Sequence, residues 1–181
     1  LQNIIEIFKL WNGGMSFHGG FVGVIVAIYI FSNLKKLNYK IYFDTICCVA
    51  PIGLFLGRIA NFINGELYGV PTEKPWGIIF PKIDNLMRHP SQIYEAFLEG
   101  IVLFIILNFL AIKKTIGKGL ISSLFLILYG TFRAICEQFR EPDKHMGYIF
   151  EYFSMGSILS VIMIVFGLIF LPKIIFNEKN R

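Results

Sequence analysis

Charge is what this chain is short of. Only 16% of its 181 residues are charged, against 55% from the hydrophobic set, whereas soluble domains carry about 25% charged residues. That little polar surface cannot cover a water-soluble core, so apolar surface is expected to face lipid. Cysteine is scarce as well. Cys47, Cys48 and Cys136 are odd in number, two are adjacent and all lie in apolar stretches, which excludes a disulfide scaffold and makes them packing residues rather than nucleophiles. There is no Cys-x-x-Cys and no HEXXH, and the three histidines are remote in sequence, so no metal centre is expected. Without a Gly-Lys-Ser/Thr phosphate loop or a dinucleotide fingerprint, neither ATP nor NAD chemistry is expected, and no cofactor. The net charge of +5 could suggest nucleic acid. Its lysines sit in short clusters between apolar runs, however, and in a membrane chain that pattern sets orientation; no nucleic-acid partner is expected. A cationic start and a cleavage-site pattern are missing too, so the opening LQNIIEIFKLW is no signal peptide. The first residue is Leu1, and the expectation is that the sequence starts inside a longer protein.

What the chain has instead is five apolar runs, at about 17–33, 41–57, 95–112, 119–136 and 152–171. Each is about the length that crosses roughly 30 Å of hydrocarbon at 1.5 Å per residue. None shows period-two alternation, so helices are the form that satisfies every backbone group in lipid. The fold class expected is all-α: a polytopic integral membrane helical bundle, one domain over 1–181, with an outer-face loop region between spans two and three. Lysine and arginine set its orientation. The short stretches 33–40, 113–118 and 173–181 hold nine cations, against seven in the much longer 1–16, 58–94 and 137–150. The positive-inside tendency puts the three short stretches in the cytoplasm and the amino end outside.

On that topology the outer segments carry nearly every residue that could do chemistry. Tyr129, Arg133 and Glu137 are spaced i, i+4, i+8 and form one helical stripe, with Arg140 close to it and Pro142 ending the helix. An arginine in an apolar span costs several kcal/mol unless paired or wet, so Arg133 faces inward, either in a structural ion pair with Glu137 or in a substrate cavity. The segment 57–69, GRIANFINGELYG, is either a plain exposed loop or a second wall of that cavity. In it Arg58 and Asn61 share a face if helical, and Asn64-Gly65 is a strong turn signal. His18, before Gly19-Gly20, reads as an interfacial histidine or as a general base titrating near neutrality. His89 is a positioning residue in a turn before Pro90, with Gln92 and Tyr94 able to donate hydrogen bonds. Asp44 and Glu99 are carboxylates inside spans that need partners, which the sequence does not name. The residues alone end at a membrane cavity whose guanidinium groups suit phosphate oxygens, such as those of a lipid headgroup in the outer leaflet. A transporter or channel and a non-catalytic lipid-binding subunit are the competing classes. The channel predicts polar residues through the full membrane depth, whereas here they crowd one end with only Asp44 deeper.

The motifs GGMSFHGG (13–20), GRIANFINGELYG (57–69), PWGIIFP (75–81), RHPSQIYEAFLEG (88–100) and YGTFRAICEQFREPD (129–143), in that order, resemble those of the phosphatidylglycerol:prolipoprotein diacylglyceryl transferase family. Ala60 stands where that family usually has glycine, and Val70 where an arginine is common. The family also has about two further spans before this region. The resemblance implies transfer of the diacylglyceryl group of phosphatidylglycerol to the thiol of the lipobox cysteine in a prolipoprotein signal peptide, with release of glycerol 1-phosphate. It implies a bacterial inner (cytoplasmic) membrane setting with the active site toward the outer leaflet. The catalytic residues expected are His18, Arg58, Arg133 and Glu137. Those expected to bind substrate are Arg58, Asn61, Asn64, Glu66, Gly69, His89, Gln92 and Tyr94. The substrate brings the attacking sulfur, in keeping with inert cysteines in the chain itself.

Overall fold

The computed structural model describes residues 17–113, 116–117, 119–141 and 155–179. Helix α1 (Phe17–Lys35) and helix α2 (Tyr39–Asn64) come first. A two-stranded antiparallel ladder follows, β1 (Ile78–Ile79) against β2 (Met87–Arg88), in the register Ile78 to Arg88 and Ile79 to Met87. Then come α3 (Ser91–Glu95), a π-helical stretch Ala96–Val102, α4 (Leu103–Lys113), α5 (Leu120–Glu137) and α6 (Met155–Lys179). Among the described residues three helices are long and apolar enough to cross a membrane: α2, the continuous Ser91–Lys113 and α5. The apolar helical stretches Val22–Lys35 and Gly156–Leu171 are shorter and overlap the first and last expected runs, of which 152–154 lie outside the described residues. The all-α expectation holds, and the small ladder lies between the second and third runs.

The helix boundaries differ from the apolar runs, for local reasons. Helix α2 starts on Asn38, whose side chain accepts the Lys40 N–H at 3.0 Å. It continues through Arg58 and Asn61, beyond the apolar end at Gly57, and stops at Gly65. There a φ of 72° lets the cap N–H turn back onto the Asn61 and Phe62 carbonyls. The third run begins at Ser91 rather than at Glu95, because Pro90 supplies the first turn without needing a donor.

Lipid offers no water to exclude, so close packing and hydrogen bonds must hold the helices together. Helices α5 and α6 make the most extensive contact. A Cβ at Gly130 would sit 2.8 Å from the Ser160 carbonyl oxygen, and one at Gly167 would lie 2.8 Å from that of Ser123, so small residues set this approach. Cys48, Leu103, Leu107 and Ile121 form the buried core between α2, α4 and α5. Val22, Leu56, Ile105, Ile112 and Phe166 are exposed on the perimeter, as expected of a lipid-facing surface.

Candidate active site

One end of the bundle gathers the charge that the apolar spans exclude. From α2, Arg58 reaches two carboxylates on the third long helix: Nε lies 2.9 Å from Glu95 Oε2, and Nη2 lies 3.2 Å from Glu99 Oε2. From α5, Arg133 pairs through Nη1 with Glu95 Oε1 and approaches Glu99 Oε1 at 3.8 Å, while its Nη2 holds Glu137 Oε2 at 2.6 Å. Arg140, just past α5, lies 3.9 Å from Glu95 Oε1. Glu95 and Glu99 have no solvent exposure and Arg133 has 9%. Buried ions such as these persist only when paired. The local fold arranges the pairing. Glu95 ends α3 and Glu99 lies one turn on, in the π-helical stretch, a distortion frequent at functional sites. Gly100 beside it lets Phe55 of α2 come close, since a Cβ there would lie 2.6 Å from the Phe55 Cβ.

Over this cluster the segment between α2 and α3 is folded by backbone bonding. The Gly69 N–H donates to His89 O and that of His89 to Val70 O, both at 3.0 Å; the Val70 N–H donates to Phe139 O at 3.0 Å and that of Glu141 to Tyr68 O at 3.1 Å. Gly69 is thus wedged between two chains, and a Cβ on it would overlap the His89 and Phe139 carbonyl oxygens. Arg88 locks the arrangement. Its guanidinium holds Asp84 at 2.6 Å, Glu141 at 2.5 Å and the Gly69 carbonyl at 3.0 Å, and lies over the Tyr68 ring. Its hydrogen bonds to Asp84 hold Arg88 above its ordinary pKa against the opposing effect of burial, with Glu141 adding to them.

The expected site residues fall into two sets. Arg58, Arg133 and Glu137 meet in the charged cluster. The expected substrate-binding residues are spread around it rather than gathered in one cavity. Asn61 is half-buried on α2, one turn beyond Arg58; Asn64 is exposed and lines a cavity of about 230 Å³ with Gly65, Phe80 and Lys82. Glu66 is exposed, and its carbonyl oxygen accepts the Gln92 side-chain N–H at 2.6 Å. Gln92 is fully buried. His89 Nδ1 lies 3.1 Å from the Tyr94 hydroxyl, which also accepts the Trp76 indole N–H at 2.9 Å. His89 and Tyr94 line a larger apolar groove, about 540 Å³, with Phe97, Ile135, Cys136 and Phe139. That groove lies beside the charged cluster, not on it. His18 falls in the first turn of α1, and its side chain lies outside those described.

Glu95 escaped the sequence reading altogether, appearing there only as the start of an apolar run, although it touches all three guanidiniums. Its signal was present: two glutamates at i, i+4 in an otherwise apolar span. Glu99 finds its partners in Arg58 and Arg133. Asp44, at the opposite end, is held by the turn between α4 and α5: its Oδ2 accepts the Gly117 and Gly119 N–H groups, and its Oδ1 accepts the N–H and hydroxyl of Ser122.

Fold and site together define a multi-pass helical membrane protein with a buried guanidinium–carboxylate cluster at one end of its bundle. The family model for prolipoprotein diacylglyceryl transferase matches residues 1–172, and the chain belongs to that family. Proteins named phosphatidylglycerol–prolipoprotein diacylglyceryl transferase are similar to it. The one from Rickettsia bellii (strain OSU 85-389) is 56% identical over 174 residues, which cover 95% of this chain and 66% of that protein. That of Rickettsia felis is 56% identical over 168 residues, covering 92% and 65%. That of Zymomonas mobilis is 51% identical over 183 residues, covering 100% and 63%. The chain thus spans just under two thirds of the length of these relatives.

Proposed function

We propose that the protein carrying this chain transfers the diacylglyceryl group of phosphatidylglycerol to the cysteine thiol in the lipobox of a prolipoprotein signal peptide. A thioether forms and glycerol 1-phosphate is released. The observation that carries this reading is the convergence of Arg58 and Arg133, from two different helices, on the buried Glu95 and Glu99, in a chain of this family. In the reaction the substrate sulfur attacks the glyceryl carbon, and the C–O bond breaks with its electron pair going to the phosphate. The step needs a thiolate, because the thiol is a poor nucleophile, and it needs positive charge where the phosphate charge grows. Arg58 and Arg133 supply that charge, guanidinium forks being matched to phosphate oxygens. Glu137 orients Arg133. His18 or a carboxylate of the cluster takes the thiol proton. Asn61, Asn64, Glu66, Gly69, His89, Gln92 and Tyr94 shape the surroundings of the headgroup, and no cofactor enters.

In this reading the chain crosses a bacterial inner membrane five times and forms a single domain, with the charged cluster toward the outer leaflet and the lysine-rich turns in the cytoplasm. The test is incubation of the whole protein in phosphatidylglycerol bilayers with a lipobox peptide. The peptide is expected to gain the mass of one diacylglyceryl group at its thiol. No thioether, under conditions where the lipid is bound, would leave only a lipid-binding subunit. Transfer that is normal in His18→Gln and abolished in Arg133→Ala would remove His18 as the base and keep the phosphate role of the arginine.

A further inference from the structure

Among the described residues the cluster holds three guanidiniums, Arg58, Arg133 and Arg140, and three carboxylates, Glu95, Glu99 and Glu137. The arginines that would receive a phosphate are therefore already neutralised. An anionic headgroup that engages Arg58 and Arg133 must take them from the glutamates, and the three carboxylates do not lose equally. Glu137 is partly exposed, at 11% of its side chain, and lies on the same helix as Arg133. Glu95 keeps Arg140 when the other two arginines turn away. Among the described residues Glu99 has only the two arginines in question, at 3.2 and 3.8 Å, and its Oε1 accepts no hydrogen bond from them. It has no solvent exposure. Deprived of both guanidiniums it would be a lone carboxylate inside a membrane span, a state that costs several kcal/mol. A proton removes that cost.

We propose that each phosphatidylglycerol headgroup enters this site together with one proton, which Glu99 holds for as long as the phosphate occupies Arg58 and Arg133. This rests on the headgroup reading given above and adds to it a rule for exchange. The carboxylate is the counter-ion of the empty site, the phosphate replaces it, and the net charge of the cluster stays constant. Among the described residues, the groups that surround Glu99 are Arg58 from α2, Glu95 from its own helix, and Tyr129, Arg133 and Cys136 from α5; Glu137 pairs with Arg133 and Arg140 approaches Glu95. A protonated Glu99 cannot also accept the thiol proton, so that proton goes to His18 or to another carboxylate of the cluster.

The phosphodiester stays a monoanion from about pH 6 to about pH 9, so any pH dependence of binding in that range reports the protein. The measurement is the affinity of the whole protein for phosphatidylglycerol, titrated into zwitterionic nanodiscs without peptide. For the unaltered protein, affinity is expected to fall by about tenfold per pH unit as the pH rises through part of this range. Glu99→Gln should bind with an affinity independent of pH, and at the alkaline end at least as tightly as the unaltered protein. A merely structural role for Glu99 would weaken binding at every pH and keep the slope. Glu137→Gln should retain the slope. A flat profile for the unaltered protein overturns the proposal, as does a slope that survives Glu99→Gln, which would assign the proton to His18. Should Glu99→Gln not fold, calorimetry of the unaltered protein in two buffers of different ionisation heat decides: about one proton per lipid supports the proposal and none overturns it. Peptide transfer measured alongside separates the two readings. Proton-linked binding without transfer sinks the transferase assignment alone, and transfer with pH-independent binding sinks the Glu99 assignment alone.

Discussion

Two fully buried carboxylate sites lie toward opposite ends of helix α2, and they are held in opposite ways. Asp44 is held by neutral dipoles. Gly117 N, Gly119 N and Ser122 N donate at 2.9 Å each and the Ser122 hydroxyl at 2.6 Å, so both of its oxygens are satisfied twice. Glu95 and Glu99, about 20 Å away along the helix axis, are held by guanidiniums on long side chains from other helices, and each has one oxygen without a well-directed hydrogen bond. Backbone donors fixed in a turn have no other partner to take. Guanidinium forks can turn from a carboxylate to a phosphate without losing their geometry. A carboxylate locked by dipoles is a fastening, whereas one locked by guanidiniums can be half of an exchangeable pair, and on the proposed reading that difference separates the structural end of this bundle from its chemical end.

The largest effects should come from breaking the exchangeable side. Arg133→Ala leaves Glu95 and Glu137 short of a cation and removes one phosphate fork. Transfer to a lipobox peptide should fall by at least about 100-fold, with stability lowered by about 3–5 kcal/mol; Arg133→Lys should keep most of the stability and still lose about tenfold in rate, because the fork is gone. Asp44→Ala tests the other side. It orphans the turn donors at Gly117, Gly119 and Ser122 and should cost about 3 kcal/mol in denaturation, with transfer per folded molecule within about twofold of normal if the two ends are independent. Loss of transfer in a folded Asp44→Ala protein would break the comparison.

Much of this division was legible in the residue pattern. Bilayer thickness dictates span length, so the apolar runs located the helices, and Asn64-Gly65 announced the end of α2. Arg133 and Glu137 declared their pairing by helical spacing. The partners of Asp44 did not, because they are backbone N–H groups more than seventy positions away, and a backbone donor carries no residue identity to read. Glu95 was missed for a different reason. Read as the edge of an apolar run it looks like a boundary charge, and only a helix that starts at Ser91 turns it inward, one turn from Glu99. The residues expected to bind substrate were read as one group; the backbone bonding of Gly69 and Val70 to His89 and Phe139 places them around the cluster.

Two smaller changes sharpen the boundary of the exchangeable region. A Cβ on Gly156 of α6 would lie 2.6 Å from Glu137 Oε1, displacing the end of a flexible side chain rather than backbone. Gly156→Ala should therefore leave stability within about 1 kcal/mol and reduce transfer by about tenfold through a misaligned Arg133; an unchanged rate would show that Glu137 does not orient that arginine.

The smallest effect is expected at Tyr94. Its hydroxyl accepts from Trp76 and bonds His89, but Trp76 is 56% exposed and its indole N–H can turn to water when the hydroxyl is lost. The rings of Tyr94 and His89 also lie edge-on to Phe139, with centroids 5.6 and 5.2 Å away, and a phenylalanine at 94 keeps those contacts. Tyr94→Phe should thus cost about 1 kcal/mol and leave transfer within about threefold. If it instead matched Arg133→Ala, the His89–Tyr94 pair would be in contact with the reacting atoms. The apolar groove and the charged cluster would then have to be one site, joined when the lipid enters.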